Sequence, residues 1–200
     1  MRPTNQVAAS VERRDFAGIR KAAAAQVAAE LGAIADPRDR LQRAGEIIRQ
    51  AELEVSIVAP ERNACAASLA FYDGMRGLNV AMGVGRASYA QIRRAALGED
   101  TRTGRLPEQE EAADVAEAAD VPRVKDAAKR LPELSERVAA ANARHEAAVP
   151  FRQDAALVVS EEPYGWSSFE TEARTGIPAT RIREDLTHAR RRRQASKSNR

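Results

Sequence analysis

The sequence predicts an all-α protein, and three observations carry that prediction. Apolar residues recur at three- and four-residue steps, the period of one helix face. Hydrophobic residues make up 44% of the chain but aromatic ones only 4%, so the core must be built from small and aliphatic side chains. Such side chains suit closely packed helices better than strands. Glycine and proline punctuate the periodic stretches. The pattern divides into two small helical domains, residues 10–100 and 150–193, joined by a linker and proline-broken helical spacer at 101–149. A basic flexible tail is expected at 194–200.

Each element follows from its own signals. Phe16, Ile19, Ala23, Val27 and Leu31 form one stripe, predicting a first helix over residues 10–31. Asp36-Pro37 is a stop-and-restart signal: the aspartate can cap the next helix, and proline at its first position gives up no needed donor. The second helix is expected over 38–55, with Leu41, Ala44, Ile48, Ala51 and Val55 inward. Ala59-Pro60-Glu61 repeats the start signal, and Ala64, Cys65, Ser68, Leu69 and Tyr72 make the stripe of a third helix that Asp73-Gly74 ends. Residues 101–107, TRTGRLP, read as the linker. Beyond them three short helical stretches are expected, punctuated by Pro122, Pro132 and Pro150, as a spacer or dimerising hairpin. The C-terminal part holds a helix to about Ser160, a turn at Pro163-Tyr164-Gly165, a short helix from Ser167, a turn at Gly176-Ile177-Pro178 and a last helix from Ala179. Tyr164 and Trp166 are placed to close a small core. The two turn-bearing regions resemble each other loosely, which suggests one kind of module used twice.

Charge is distributed unevenly. The formal net charge is only +3, too small a bias to identify an anionic partner. Acid collects between Glu99 and Asp120, whereas Arg190, Arg191, Arg192, Arg193, Lys197 and Arg200 close the chain without an intervening acid. The single cysteine, Cys65, excludes an intrachain disulfide and a cysteine-rich zinc site, and it reads as a packed small hydrophobe. No apolar run approaches the roughly 20 residues needed to span a bilayer, and the opening MRPTNQ lacks the apolar core of a secretory signal. A cytoplasmic protein without a membrane partner is expected.

The stretch VAMGVGRASYAQIRR, residues 80–94, has the organisation of a helix-turn-helix, in which a glycine permits the turn and flanking apolar residues pin the two helices. Leu78 and Met82 supply the apolar face of the first helix of the pair, Gly83 the turn, Val84 its plug, and Tyr89 and Ile92 the inner face of the second. Arg86, Ala87, Ser88, Ala90, Gln91, Arg93 and Arg94 are then expected outward. Arginine forks onto guanine, glutamine onto adenine, and small residues allow close approach to a major groove. In residues 167–193, Phe169 and Ala173 are expected inward, Gly176 at the turn, Ile177 as plug, and Ile182 with Leu186 or Ala189 as anchors. The expected outer face is Pro178, Thr180, Arg181, Arg183 and Thr187, continuing into Arg190, Arg191, Arg192 and Arg193, a run suited to phosphates.

At these positions the chain resembles the short actinobacterial-type helix-turn-helix proteins whose DNA-reading unit looks like the fourth region of bacterial sigma factors. A stretch similar to AAELGAIADPRDRLQRAGEIIRQAELEV, residues 28–55, precedes that unit, and Met82-Gly83-Val84-Gly85-Arg86 is close to the family's Leu-Gly-Val-Ser-Arg turn. The resemblance covers roughly residues 22–97. Arg174-Thr175-Gly176-Ile177-Pro178 likewise looks like the turn of many transcriptional repressors. The resemblance implies a sequence-specific duplex DNA-binding protein with a regulatory role, nucleoid-associated when bound. Asn79 and Glu172 stand where the family has a small alanine, and the segment between Gly74 and Gly83 is about two residues short.

Other readings are weaker on the same residues. A dinucleotide loop at Gly83-x-Gly85 would require a preceding strand and a third glycine where Ser88 stands. His145 and His188 lack partners at metal-ligand spacing, so neither a metal nor a cofactor is expected. No nucleophile, base and oxyanion set assembles, so the chain does not read as an enzyme. The acidic pairs Glu110-Glu111 and Glu161-Glu162 read as solvated surface. An architectural or plasmid-maintenance protein that bridges DNA sites, and an adaptor that buries its acidic segment against another protein, are the alternatives. Whether two modules act within one chain or across a homodimer stays open at this level.

Overall fold

The computed structural model describes residues 11–198, so Ser10, where the first domain was expected to begin, and residues 199–200 of the expected tail lie outside the described residues. Among the described residues the chain is all-helical: α1 (Phe16–Ala33), α2 (Pro37–Phe71), α3 (Leu78–Ala81), α4 (Arg86–Ala96), α5 (Ala112–Ala118), α6 (Ala127–Ser160), α7 (Ser168–Thr175) and α8 (Ala179–Ser198). None of these helices is long and apolar enough to cross a membrane.

Local chemistry accounts for most of the boundaries. Asp15 Oδ1 accepts from the Gly18 amide at 3.0 Å to start α1, later in the chain than periodicity alone placed it. Asp36 Oδ1 accepts from the Arg38 amide at 2.8 Å to start α2, as the Asp-Pro pair predicts. Hydrogen bonds from Arg38 hold the Asp36 carboxyl down at about 2, well below its ordinary value.

Three expectations are corrected. The second and third helices are one, α2, which runs through Pro60. Instead of three short stretches, the middle segment holds α5 and then α6, which runs through Pro132 and Pro150. Pro60 and Pro150 are both exposed, on the solvent side of their helices, where a missing backbone donor is least costly. The tail expected at 194–200 continues α8 as far as Ser198, since residues 194–198 contain neither glycine nor proline to stop it.

The chain folds as two compact units that are not consecutive stretches. One comprises Glu54–Ala139 with the described residues up to Ile19; the other comprises Arg20–Leu53 with the described residues from Ala140 onward. The first therefore takes the C-terminal part of α2 and the N-terminal part of α6, and the second takes the opposite halves.

This exchange exposes an internal repeat. A faint register relates α2 to α6 ninety positions later, in which Leu41 and Leu131, Ala51 and Ala141, Pro60 and Pro150, Arg62 and Arg152, and Ala66 and Ala156 coincide. Burial follows the same register: Leu41, Ala44, Ile48, Ala51, Val58, Arg62, Cys65 and Leu69 are buried, and so are Leu131, Leu134, Val138, Ala141, Ala148, Arg152, Ala155 and Val159. Each unit thus has the same parts: an early helix (α5 or α1), the first half of one long helix, the second half of the other, and a helical pair (α3–α4 or α7–α8).

The cores are equivalent too. In the first unit Val58, Cys65 and Leu69 of α2 pack with Leu78, Met82, Leu131, Leu134 and Val138, while Ala67 and Phe71 pack with Ala112, Ala116 and Val121. In the second unit Val27, Leu31, Ala44, Ile47, Ile48 and Ala148 form one cluster, and Leu41, Ala155, Ala156, Val159, Ile177 and Ile182 form another. Cys65 is fully buried, as a packed hydrophobe should be, and burial pushes its thiol up from its ordinary value.

The repeated arginines differ in their partners. Arg152 makes a two-pronged pair with the buried carboxylate of Asp185 on α8, at 2.7 and 3.1 Å. Arg62 is about as buried but among the described residues bonds only to the neighbouring Asn63 amide oxygen, at 2.8 and 3.1 Å, and desolvation lowers its pKa. Removing one member of a buried pair strands the other charge. Arg152→Leu is therefore expected to destabilise the protein by about 3–5 kcal/mol in denaturant unfolding. Arg62→Leu, which strands no carboxylate, is expected to be neutral or stabilising; a loss as large as that of Arg152→Leu would contradict the distinction.

Candidate nucleic-acid interface

In the second unit, α7 begins at a reciprocal cap. Ser167 Oγ accepts from the Glu170 amide at 3.2 Å, and Glu170 Oε2 accepts from the Ser167 amide at 2.8 Å. These bonds depress the Glu170 carboxyl below its ordinary value. Gly176 follows in the left-handed region at φ 69°, Ile177 is buried behind it, and α8 begins at Ala179. Ile177 as plug and Ile182 and Ala189 as anchors are buried as the sequence predicts, and Leu186 is half-buried beside them.

The phase of α7 is corrected. Phe169 and Ala173 are exposed, Phe169 by 67%, and Thr171 is buried instead. Threonine can take the inward position because its hydroxyl is satisfied locally: Thr171 Oγ1 donates to the Ser167 carbonyl at 2.9 Å. The freed Phe169 ring receives the Arg183 guanidinium at 5.4 Å, and Arg174 stacks on Trp166 at 4.5 Å. Trp166 and Tyr164 meet edge to face and pack on the second unit's core, the role expected of them. Sequence reasoning missed both arginine–aromatic stacks, although Phe169 beside a basic helix was their available signal.

The expected outer residues Pro178, just before α8, and Thr180, Arg181, Arg183, Thr187, Arg190, Arg191, Arg192 and Arg193 on it are all exposed. Their engagement is unequal. Arg181 pairs with Glu184 one turn on at 3.0 Å, an exposed contact that costs little to break. Arg190 and Arg191 meet no partner among the described residues. Arg192 is held by Asp154 at 2.7 Å and by Gln153, and Arg193 by Glu161 at 2.7 Å, so the four-arginine run is divided between outward and tethered cations. Sequence order could not show that α6 offers Gln153 and Asp154 to Arg192, and the residue just after it, Glu161, to Arg193.

In the first unit, Leu78 and Met82 are buried, Gly83 turns at φ 63°, and Val84, Tyr89 and Ile92 pack partly buried against the core, all as predicted. The helix before the turn, α3, is a single turn opened by Gly77 in the left-handed region, which matches the shortness of the segment after Gly74. A helix rather than a strand precedes Gly83, so the dinucleotide-loop reading lacks its first requirement.

Arg86, Ala87, Ser88 and Gln91 are exposed on α4 and Ala90 is half-buried, but Arg93 and Arg94 turn inward, contrary to expectation. The Arg93 guanidinium stacks on Phe71 at 5.0 Å and on Tyr89 at 6.0 Å, and its Nε is buried without a hydrogen-bond partner among the described residues. Arg94 donates to the carbonyls of Gly104 at 2.6 Å and Thr101 at 3.2 Å, tethering the loop after α4. The reason is phase: Arg93 follows Tyr89 by four residues and so shares its stripe. Counting from the two turn glycines, Arg93 occupies the place of the half-buried Leu186.

His145 approaches Glu52 at 3.4 Å, and no group of residues that could hold a metal ion occurs among the described residues. Comparison with protein-family models, with curated proteins and with solved structures finds no match to this chain.

The two turn glycines differ in what surrounds them. A Cβ at Gly83 would lie 2.4 Å from the Phe16 ring, whereas one at Gly176 would meet nothing within 4 Å. Gly176→Ala is expected to cost the backbone penalty alone, about 1–2 kcal/mol. Gly83→Ala should add a further ~1–3 kcal/mol of overpacking. Thermal or denaturant unfolding of the two variants checks the order, which equal losses would refute.

Proposed function

We propose that the protein is a sequence-specific duplex DNA-binding protein, acting as a transcriptional regulator, that reads bases with the outer face of α8. One observation carries this reading: the helix after the Gly176 turn docks by Ile182, Asp185 and Ala189 and leaves Thr180, Arg181, Arg183, Glu184 and Thr187 exposed around its other side. Such a face offers forked donors for base edges near its N-terminal end. Arg190 and Arg191, further along, are placed for phosphates, which position a protein without specifying sequence.

Selection of binding sites from random duplexes at two salt concentrations tests the reading on the intact chain and two variants. Arg181→Ala with Arg183→Ala should blur or abolish the selected motif, at about 1–3 kcal/mol per lost base contact. Arg190→Ala with Arg191→Ala should weaken all duplexes alike and reduce the salt slope by about 2. Tight binding with a steep salt slope but no motif would replace this reading with an architectural one, and no retention of duplex at low salt would overturn DNA binding altogether.

A further inference from the structure

The repeat gives the chain two equivalent helical pairs whose second helices have diverged. Counted from Gly83 and Gly176, Tyr89 matches Ile182, Ile92 matches Asp185, and Ala96 matches Ala189, so α4 and α8 dock the same stripe. Their outer faces therefore correspond, but their contents do not. Exposed Arg86 on α4 stands where buried Ala179 stands on α8, exposed Ala87, Ser88 and Gln91 stand where exposed Thr180, Arg181 and Glu184 do, and α4 contains no acidic residue. The face of α4 is small and polar, with one forked cation at its first turn and one amide a turn later. Small side chains admit a helix deep into a major groove, and glutamine pairs with adenine as arginine pairs with guanine.

Resting on the DNA-binding reading above, we infer that one chain reads a duplex target made of two unlike elements. One element is read by α8 through Arg181 and Arg183. The other is read by α4 through Arg86 and Gln91. A homodimer of identical reading helices would select two like elements, because its symmetry repeats each contact. Here the duplication supplies two reading helices within one polypeptide, and their differences make the target asymmetric.

The test uses the full chain and Arg86→Ala with Gln91→Ala, both exposed positions whose replacement leaves the core intact; circular dichroism confirms the fold. Site selection is combined with native mass measurement of the complex on the selected duplex. The inference expects two dissimilar elements in the wild-type motif, one chain per duplex, and loss in the variant of one element with roughly ten- to hundred-fold weaker binding. A palindromic motif bound by two chains would overturn it, and so would a variant that selects the wild-type motif with undiminished affinity. In either of those outcomes the α8 reading survives, whereas absence of any duplex binding by the wild-type chain removes both.

Discussion

The pair between Arg152 and Asp185 sets the rotation of α8, and the identity of the exposed face follows from that rotation. Both side chains are buried, and the contact is two-pronged. A planar guanidinium meeting a carboxylate in this way tolerates little turning of either helix. With Asp185 inward, Ile182 and Ala189 are inward as well, by the helical period, Thr180, Arg183 and Thr187 fall on the opposite side, and Arg181, one turn before Asp185, is exposed at the edge of the buried stripe. A buried ion pair recovers its desolvation cost poorly. Its contribution here is orientation, while Ile177 behind the Gly176 turn supplies apolar attachment.

The first unit meets the same geometric demand with other means. Ile92 takes the place of Asp185, so the arginine that matches Arg152, Arg62, pairs with no carboxylate among the described residues and turns to Asn63. The phase of α4 is set instead by Tyr89 and Ile92 on the core and by Arg93 stacked over Phe71 and Tyr89. Arg94 then closes the loop of residues 101–104 onto the end of α4. Two cations that would otherwise enlarge the basic face are used for internal attachment, leaving Arg86 as the charged group on the outer face of α4.

Much of this architecture is written in short-range signals. The caps at Asp36 and Ser167, the turns at Gly83 and Gly176, the plugs Val84 and Ile177 and the onset of α8 at Ala179 each depend on a few adjacent residues, and each is legible. What escapes depends on distance. Pro60 and Pro150 look like breaks until the helices are seen to carry them on exposed faces, and splitting the chain at them hides the register that relates α2 to α6. The outward candidates on α4 include Arg93 because arginine reads as exposed, although the period places it with Tyr89; only the rings of Phe71 and Tyr89 make the inward position tolerable. Thr171 does not read as an inward residue beside Phe169 because a local hydroxyl bond, not hydrophobicity, permits its burial.

The exchange of helix halves also bears on why the two units could diverge. A point change in α2 before residue 54 touches one core, and a change after it touches the other. In an assembly of identical chains, an aspartate opposite the repeated arginine would have to occur in every copy or in none. Within a single chain, Asp185 and Ile92 coexist, as do a two-turn α7 and a one-turn α3. The extra length before Gly176 carries Phe169, whose ring stacks with Arg183, and the shorter α3 has no counterpart to it. Differences in helix length, ion pairing and aromatic support thus converge on the outer faces of α4 and α8, where side chains can change without disturbing the packing that both units share.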